Sequence, residues 1–198
     1  MTAERPACRL YLITPDRFDV ETFGRDLGAV LDAGDVACVE VRLADADAGE
    51  WRAAAEALRP VAQDRGVAIL LADQPAIARA SGCDGVVVGP AAGTYHRARQ
   101  VVGDQAIVGV LCAASRHDAM TAAEAGADFV GLSPEPELIA WWAEMMEPPC
   151  VAFAEGGPAT ACVEAGADFL AVGGTVWGDP DGPVSGLKRA HAIATRHR

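Results

Sequence analysis

Lysine is almost missing from this chain: Lys188 is the only one in 198 residues, and the other basic side chains are arginines. No lysine falls on an apolar, strand-like segment, so Schiff-base chemistry from a buried strand lysine is nearly excluded. Cysteine pairs at metal-binding spacing are also missing. The six cysteines stand alone at 8, 38, 83, 112, 150 and 162, with no C-x-x-C, which argues against a zinc or iron–sulfur cage. Most sit in or beside apolar runs, where a free thiol behaves as a small hydrophobe, and a reducing cytoplasm is the expected compartment. Residues 1–7 show no leader-like apolar run. No segment approaches the roughly 20 apolar residues of a membrane span. Basic clusters are absent too. With a formal net charge of −12 and a pI near 4.6, the surface repels nucleic acid and anionic lipid. An anionic ligand would need a local seat that works against this field.

What is present is alternation. The chain is 51% hydrophobic, enough for one sizeable core. Short apolar runs near residues 9–14, 37–43, 67–71, 85–89, 106–111, 129–133, 150–154 and 169–173 alternate with alanine-rich stretches of helical period. Runs apolar on both faces are what a parallel sheet requires. Eight such units predict a (β/α)8 TIM barrel as one compact domain over 1–198, with a doubly wound open sheet as the alternative. An internal repeat supports the barrel. Gly82-Cys83-Asp84-Gly85, Gly126-Ala127-Asp128-Phe129 and Gly166-Ala167-Asp168-Phe169 precede strands four, six and eight, with a weaker copy at Gly34-Asp35 before strand two. The glycine ends a helix and the aspartate bonds the turn, so these features belong to the N-terminal rim.

Chemistry in such a barrel sits at the strand C-terminal ends. Two glycine pairs lie there, Gly156-Gly157 after strand seven and Gly173-Gly174 after strand eight. Bare backbone at neighbouring strand ends makes a phosphate seat, although glycines also close turns. Glu155 precedes the first pair and its charge works against an anion. Glu40 and Arg42 share one face of strand two. Arg42 either grips a phosphate as a planar fork or forms an internal ion pair with Glu40 or Asp73. Asp73 either ligates Mg2+ or caps the next helix. Cys112, at the end of strand five, is either a nucleophile, for which no histidine is placed to activate it, or a core or rim thiol. Of Trp141 and Trp142, one packs on the barrel and the other is free to mark a contact patch.

These residues resemble the thiamine phosphate synthase and TenI tautomerase family. The matching stretches include Leu10-Tyr11-Leu12-Ile13-Thr14-Pro15-Asp16, Val39-Glu40-Val41-Arg42, Leu70-Leu71-Ala72-Asp73 and Val151-Ala152-Phe153-Ala154-Glu155-Gly156-Gly157, in order along nearly the whole chain. The resemblance implies transfer of a hydroxymethylpyrimidine from its diphosphate to a thiazole phosphate, with Mg2+, in thiamine biosynthesis. It implies that Arg42 contacts pyrophosphate and Asp73 ligates Mg2+. Gly156, Gly157, Gly173 and Gly174 would seat the thiazole phosphate, with Glu40 and Cys112 beside the ligand.

The chain also departs from the family pattern. The family's Gln-x-Arg-x-Lys is Glu40, Arg42 and Ala44 here, and its Asn-Asp is Ala72-Asp73. Its His-x-Gly-Gln-x-Asp is Val87-Val88-Gly89-Pro90-Ala91-Ala92, and its Thr-x-Thr-Lys loop has no counterpart around Ser133-Pro134-Glu135. Lost cations and a lost carboxylate put transfer in competition with two other readings: an inert binding or regulatory paralogue, and a TenI-like tautomerase. The expected partner is a small phosphorylated molecule, with a homo-oligomer left open.

Overall fold

Eight parallel strands, each paired with its sequence neighbours, close into a ring in the order β1 to β8. The computed structural model describes residues 6–91, 93–155 and 157–196. The strands are β1 Arg9–Ile13, β2 Val36–Val41, β3 Ala68–Ala72, β4 Gly85–Val88, β5 Ile107–Ala113, β6 Phe129–Leu132, β7 Cys150–Ala152 and β8 Phe169–Val172. Ring closure is the pairing of β1 with β8, from Arg9 opposite Phe169 to Leu12 opposite Val172. The open-sheet alternative is thereby excluded.

Around the ring lie α1 Val20–Leu31, α2 Ala48–Gln63, α3 Pro75–Ser81, α4 Thr94–Val102, α5 Arg116–Ala125, α6 Pro136–Met145 and α7 Ala159–Glu164, followed by α8 Gly174–Trp177 and α9 Pro183–Ala194. The caps are legible in the residues. Asp47 and Glu50 form a reciprocal capping box at the start of α2. Gly82 and Gly126 end α3 and α5 in the left-handed conformation that glycine adopts without strain. The sequence pattern does not reveal the one-turn α8, which follows the Gly173-Gly174 pair.

Two concentric cores follow from strand alternation. Tyr11, Ile13, Cys38, Leu70, Val87, Phe129, Val151 and Ala171 fill the barrel interior. The opposite faces pack beneath the helices, with Leu12, Val39, Leu71, Val110 and Trp142 among the members. Phe129 enters the interior because Gly109 lacks a side chain: a Cβ there would lie 2.0 Å from the ring. Trp142 is fully buried and bonds the Pro148 carbonyl at 2.8 Å, whereas Trp141 is half-buried beneath the Arg116 guanidinium. Among the described residues no helix is long and apolar enough to cross a membrane.

The repeated aspartates lie at the N-terminal rim and each reaches the preceding strand. An Asp84 oxygen accepts the Ile69 amide of β3 at 2.8 Å, Asp128 the Val108 amide of β5 at 2.7 Å, and Asp168 the Cys150 amide of β7 at 2.9 Å. Asp35 instead pairs with the Arg9 side chain at the start of β1. Removing such an acceptor orphans an amide, so Asp84→Ala is expected to lower stability by about 1–3 kcal/mol, read from urea unfolding midpoints.

Alkali supplies a second check. Burial, assisted by Asp168 and by Asp118 respectively, pushes the Cys8 and Cys112 thiols from 9.0 up to about 12. As pH rises the unfolded chain loses these protons first, so stability falls between the two values. Urea unfolding at about pH 8 and about pH 10.5 is expected to show that loss.

Candidate functional site

A cavity of about 520 Å³ opens at the C-terminal ends of β1, β2 and β3, lined among others by Asp16, Glu40, Arg42, Asp45, Trp51 and Asp73. A second, of about 320 Å³, adjoins it toward β5, β6 and β7, lined by Ala113, Gly131, Ser133, Pro134 and Phe153. Arg42 and Leu111 line both, so one cation stands between a carboxylate-rich compartment and a mainly apolar one.

Arg42 is held from every side. Glu40, fully buried, accepts its Nε–H at 2.7 Å through one oxygen and the Tyr11 hydroxyl at 2.8 Å through the other. Thr14, also buried, clamps the Arg42 backbone: its Oγ1 accepts the Arg42 N–H at 3.0 Å and donates to the Arg42 carbonyl at 3.2 Å. The guanidinium lies 5.6 Å from the centroid of the Phe153 ring. Burial disfavours its charge, but the hydrogen bond and charge of Glu40 outweigh that and hold the pKa above the usual arginine value. Burial also pushes the Tyr11 hydroxyl up, with Glu40 adding to the effect, so Tyr11 stays a donor. The terminal nitrogens of Arg42 make no hydrogen bond among the described residues and are available to a ligand.

Backbone strain gathers at this mouth. Among the described residues the non-glycine positions of positive φ are Asp45 at 55°, Asp73 at 53° and Ala113 at 48°, just after or at the ends of β2, β3 and β5. All three line the two cavities. Strain of this kind persists where surrounding structure enforces it, commonly at binding sites. Asp73 is exposed, and its amide is tied to the Val87 carbonyl at 2.8 Å. It does not cap α3. Gln74 holds the cap position without a side-chain bond, and Pro75 starts the helix. Asp45 pairs with Arg17 at 2.5 Å.

The structure thus gathers Glu40, Arg42 and Asp73 into one cavity, with the Glu40–Arg42 ion pair formed. It does not place Cys112 there. Cys112 is buried in the helix-facing core, with its Sγ directed to the Val110 carbonyl, and the thiol pKa lies far above neutrality. Leu111 and Ala113, its neighbours on the opposite face of β5, take the position assigned to it. Gly157, Gly173 and Gly174 line neither cavity, and Gly156 lies outside the described residues. The Gly157 amide closes a turn to the Ala154 carbonyl at 3.1 Å. At Gly173 and Gly174 the Glu155 carboxylate lies close: a Cβ on either glycine would be 3.0 Å from one of its oxygens. His96 lines a separate cavity of about 80 Å³ beside Gly89 and Pro90.

Sequence reasoning did not single out Tyr11 and Phe153 as site residues. Their signal is parity. Tyr11 sits two residues from Ile13 on an inward face, and a buried tyrosine hydroxyl needs a partner.

A family model described as thiamine monophosphate synthase matches residues 10–176. A thiamine-phosphate synthase of Rhodospirillum centenum is 50% identical over 197 residues, covering 91% of this chain and 94% of that protein. One from Hyphomonas neptunium is 38% identical, covering 96% and 95%. Among solved structures, a thiamine phosphate pyrophosphorylase of Pyrococcus furiosus superposes with a TM-score of 0.82 at 22% identity, covering 95% of this chain and 96% of that one. Orotidine 5'-phosphate decarboxylase of Pyrococcus horikoshii follows at 0.71 and 18%, covering 96% of this chain and 100% of that one, a likeness of fold alone.

The Glu40 environment is directly testable. Arg42→Met leaves a buried carboxylate without its cation and is expected to cost about 3–5 kcal/mol, whereas adding Glu40→Gln to it restores most of the loss, by urea unfolding of the double-mutant cycle.

Proposed function

The chain belongs to the thiamine monophosphate synthase family, and from that premise we propose that it joins a hydroxymethylpyrimidine diphosphate to a thiazole phosphate at the mouth of this barrel. The observation that carries the reading is that Arg42 and Asp73 line one cavity at the strand C-terminal ends, beside an apolar compartment that Arg42 also borders.

In this reading the diphosphate lies in the charged compartment against the terminal nitrogens of Arg42, and a heteroaromatic ring enters the apolar one beside Phe153. The bond between the pyrimidine methylene and the diphosphate oxygen breaks, and pyrophosphate leaves with the electron pair. The thiazole nitrogen then donates its lone pair to the methylene carbon, forming the new C–N bond. Arg42 stabilises charge on the departing oxygens, and because Glu40, Tyr11 and Thr14 already fix it, little reorganisation accompanies the step. Phe153 and Leu111 present hydrocarbon and keep water from the electron-poor carbon.

Magnesium fits this donor set as an ion shared with the substrate. Among the described residues no group of three or more His, Cys, Asp or Glu is poised to hold a metal. Mg2+ commonly takes one or two carboxylates with substrate phosphates and water, and the exposed Asp73 carboxylate with the diphosphate oxygens would hold it. When bound, it supplies further neutralisation of the leaving group.

A second reading is favoured by one observation: the carboxylate next to Gly173 and Gly174 makes them an unwelcoming phosphate seat. On that reading the protein is an inert binding paralogue. Pyrophosphate release from the two precursors with Mg2+ separates the two. The parent is expected to turn over, and Asp73→Ala, a change at an exposed position, to lower kcat/KM at least about a hundredfold, as does Arg42→Ala. Turnover that survives both substitutions would remove these residues from the chemistry. A parent that binds thiazole phosphate without turnover would establish the inert paralogue.

A further inference from the structure

Trp51 lies in the first turn of α2, just after the loop that carries Asp45. The capping box of Asp47 and Glu50 fixes that turn, and the Trp51 amide bonds the Asp47 carbonyl at 3.0 Å, so the ring hangs from rigid backbone. Only 6% of the residue is exposed, and its body belongs to the helix-facing core. Yet Trp51 also lines the charged compartment beside Arg42 and Asp73. Its one polar side-chain atom is the indole N–H, which when buried ordinarily finds an acceptor. Trp142 gives its indole proton to the Pro148 carbonyl and Trp177 to the Ile13 carbonyl. The Trp51 indole donates to nothing among the described residues, although Asp16, Asp45 and Asp73 line the same cavity. The side-chain atoms that are both enclosed and unpartnered among those residues are Arg59 Nε and Ser81 Oγ. Trp51 Nε1 is not one of them, so this unpartnered donor holds part of the small surface that the residue shows, at the wall of the compartment.

We infer that Trp51 is a diphosphate-binding residue: its indole N–H donates to a phosphate oxygen of the same ligand that Arg42 holds by its terminal nitrogens. The inference rests on the proposed reading of this compartment as the diphosphate seat. The charge of Arg42 is already matched by Glu40, and three further carboxylates line the cavity, so attraction for an anion must come from local donors. A neutral N–H meets that need, because it attracts a phosphate oxygen and calls for no counter-ion of its own. A hydrogen bond to an ionised acceptor is roughly twice as strong as one between neutral groups. Indole has no acceptor atom, so the position favours a group rich in acceptors and gains nothing from an ammonium. The competing role is that of a flat hydrocarbon wall for a heterocycle. Phenylalanine separates the two, since Trp51→Phe keeps an aromatic face and loses the donor.

The experiment follows the indole N–H resonances of the full chain by NMR, assigned on the parent, while inorganic pyrophosphate is added in the presence of Mg2+. The Trp51 indole proton is expected to move downfield as the site fills. Pyrophosphate has no ring, so stacking does not produce that shift. Calorimetry then compares the parent with Trp51→Phe. Pyrophosphate is expected to bind the variant at least about tenfold more weakly, the loss of a hydrogen bond to a charged group. The uncharged hydroxymethylpyrimidine alcohol is expected to bind both proteins alike. Equal weakening of the two ligands would assign the ring to the wall and overturn the inference. Should the variant not fold, the resonance of the parent decides alone. A parent that binds pyrophosphate while the Trp51 resonance stays in place sinks this inference and leaves the diphosphate seat intact. A resonance that moves in a parent without turnover of the two precursors upholds the inference and removes the transfer reaction. A parent that binds no pyrophosphate overturns both.

Discussion

The barrel is fastened at its base by carboxylates that reach sideways. Asp84, Asp128 and Asp168 each take a main-chain amide from the strand before their own, and these bonds lock β3 to β4, β5 to β6 and β7 to β8. Side-chain direction alternates along every strand, so a slip of one residue would exchange the interior aromatic layer for the helix-facing one. The clasps hold that register at one rim and free the other rim to carry irregular backbone. The division shows in the conformations: among the described residues the non-glycine ones of positive φ are at the mouth, and the three aspartate clasps are at the floor. Stability is concentrated away from the site, which is where a family can vary its chemistry without losing its fold.

At the mouth the governing fact is that one buried carboxylate sets one cation. Glu40 neutralises Arg42 and fixes it at the same time. Tyr11 satisfies the remaining oxygen, so the buried group is fully partnered, the condition under which a buried charge is tolerable. The cost is electrostatic. With Asp16, Asp45 and Asp73 on the same cavity and a net charge of −12 over the chain, the pocket has little positive charge of its own. An anion entering such a pocket would meet more repulsion than in a lysine-bearing one.

The architecture was legible because it repeats. Gly-x-Asp before alternate strands, apolar runs without polar faces, and capping residues such as Asp47 with Glu50 all state the same fold. The site was legible only in part. Arg42 and Asp73 could be placed because each falls at a strand end. The outcome for Arg42, both ion-paired and open to a ligand, could not be read from spacing, since a guanidinium has nitrogens enough for both. Cys112 was misplaced because chain position was read without face. Counting by twos from Ile107 selects Leu111 and Ala113 as inward and leaves Cys112 among the helices. The contact of Glu155 with Gly173 and Gly174 spans two loops, and no local pattern encodes it.

The seam between β8 and β1 has a consequence in time. Its halves lie at opposite ends of the chain, and beyond it the Trp177 indole donates to the Ile13 carbonyl at 2.7 Å. On the ribosome, the first strand therefore emerges long before its partner exists. Until then one flank of β1 presents unpaired amides and carbonyls, so the nascent chain carries an open edge for nearly its entire synthesis. The ring can close, and the mouth can take shape, only as a late event of long contact order, after the final strand has cleared the exit tunnel.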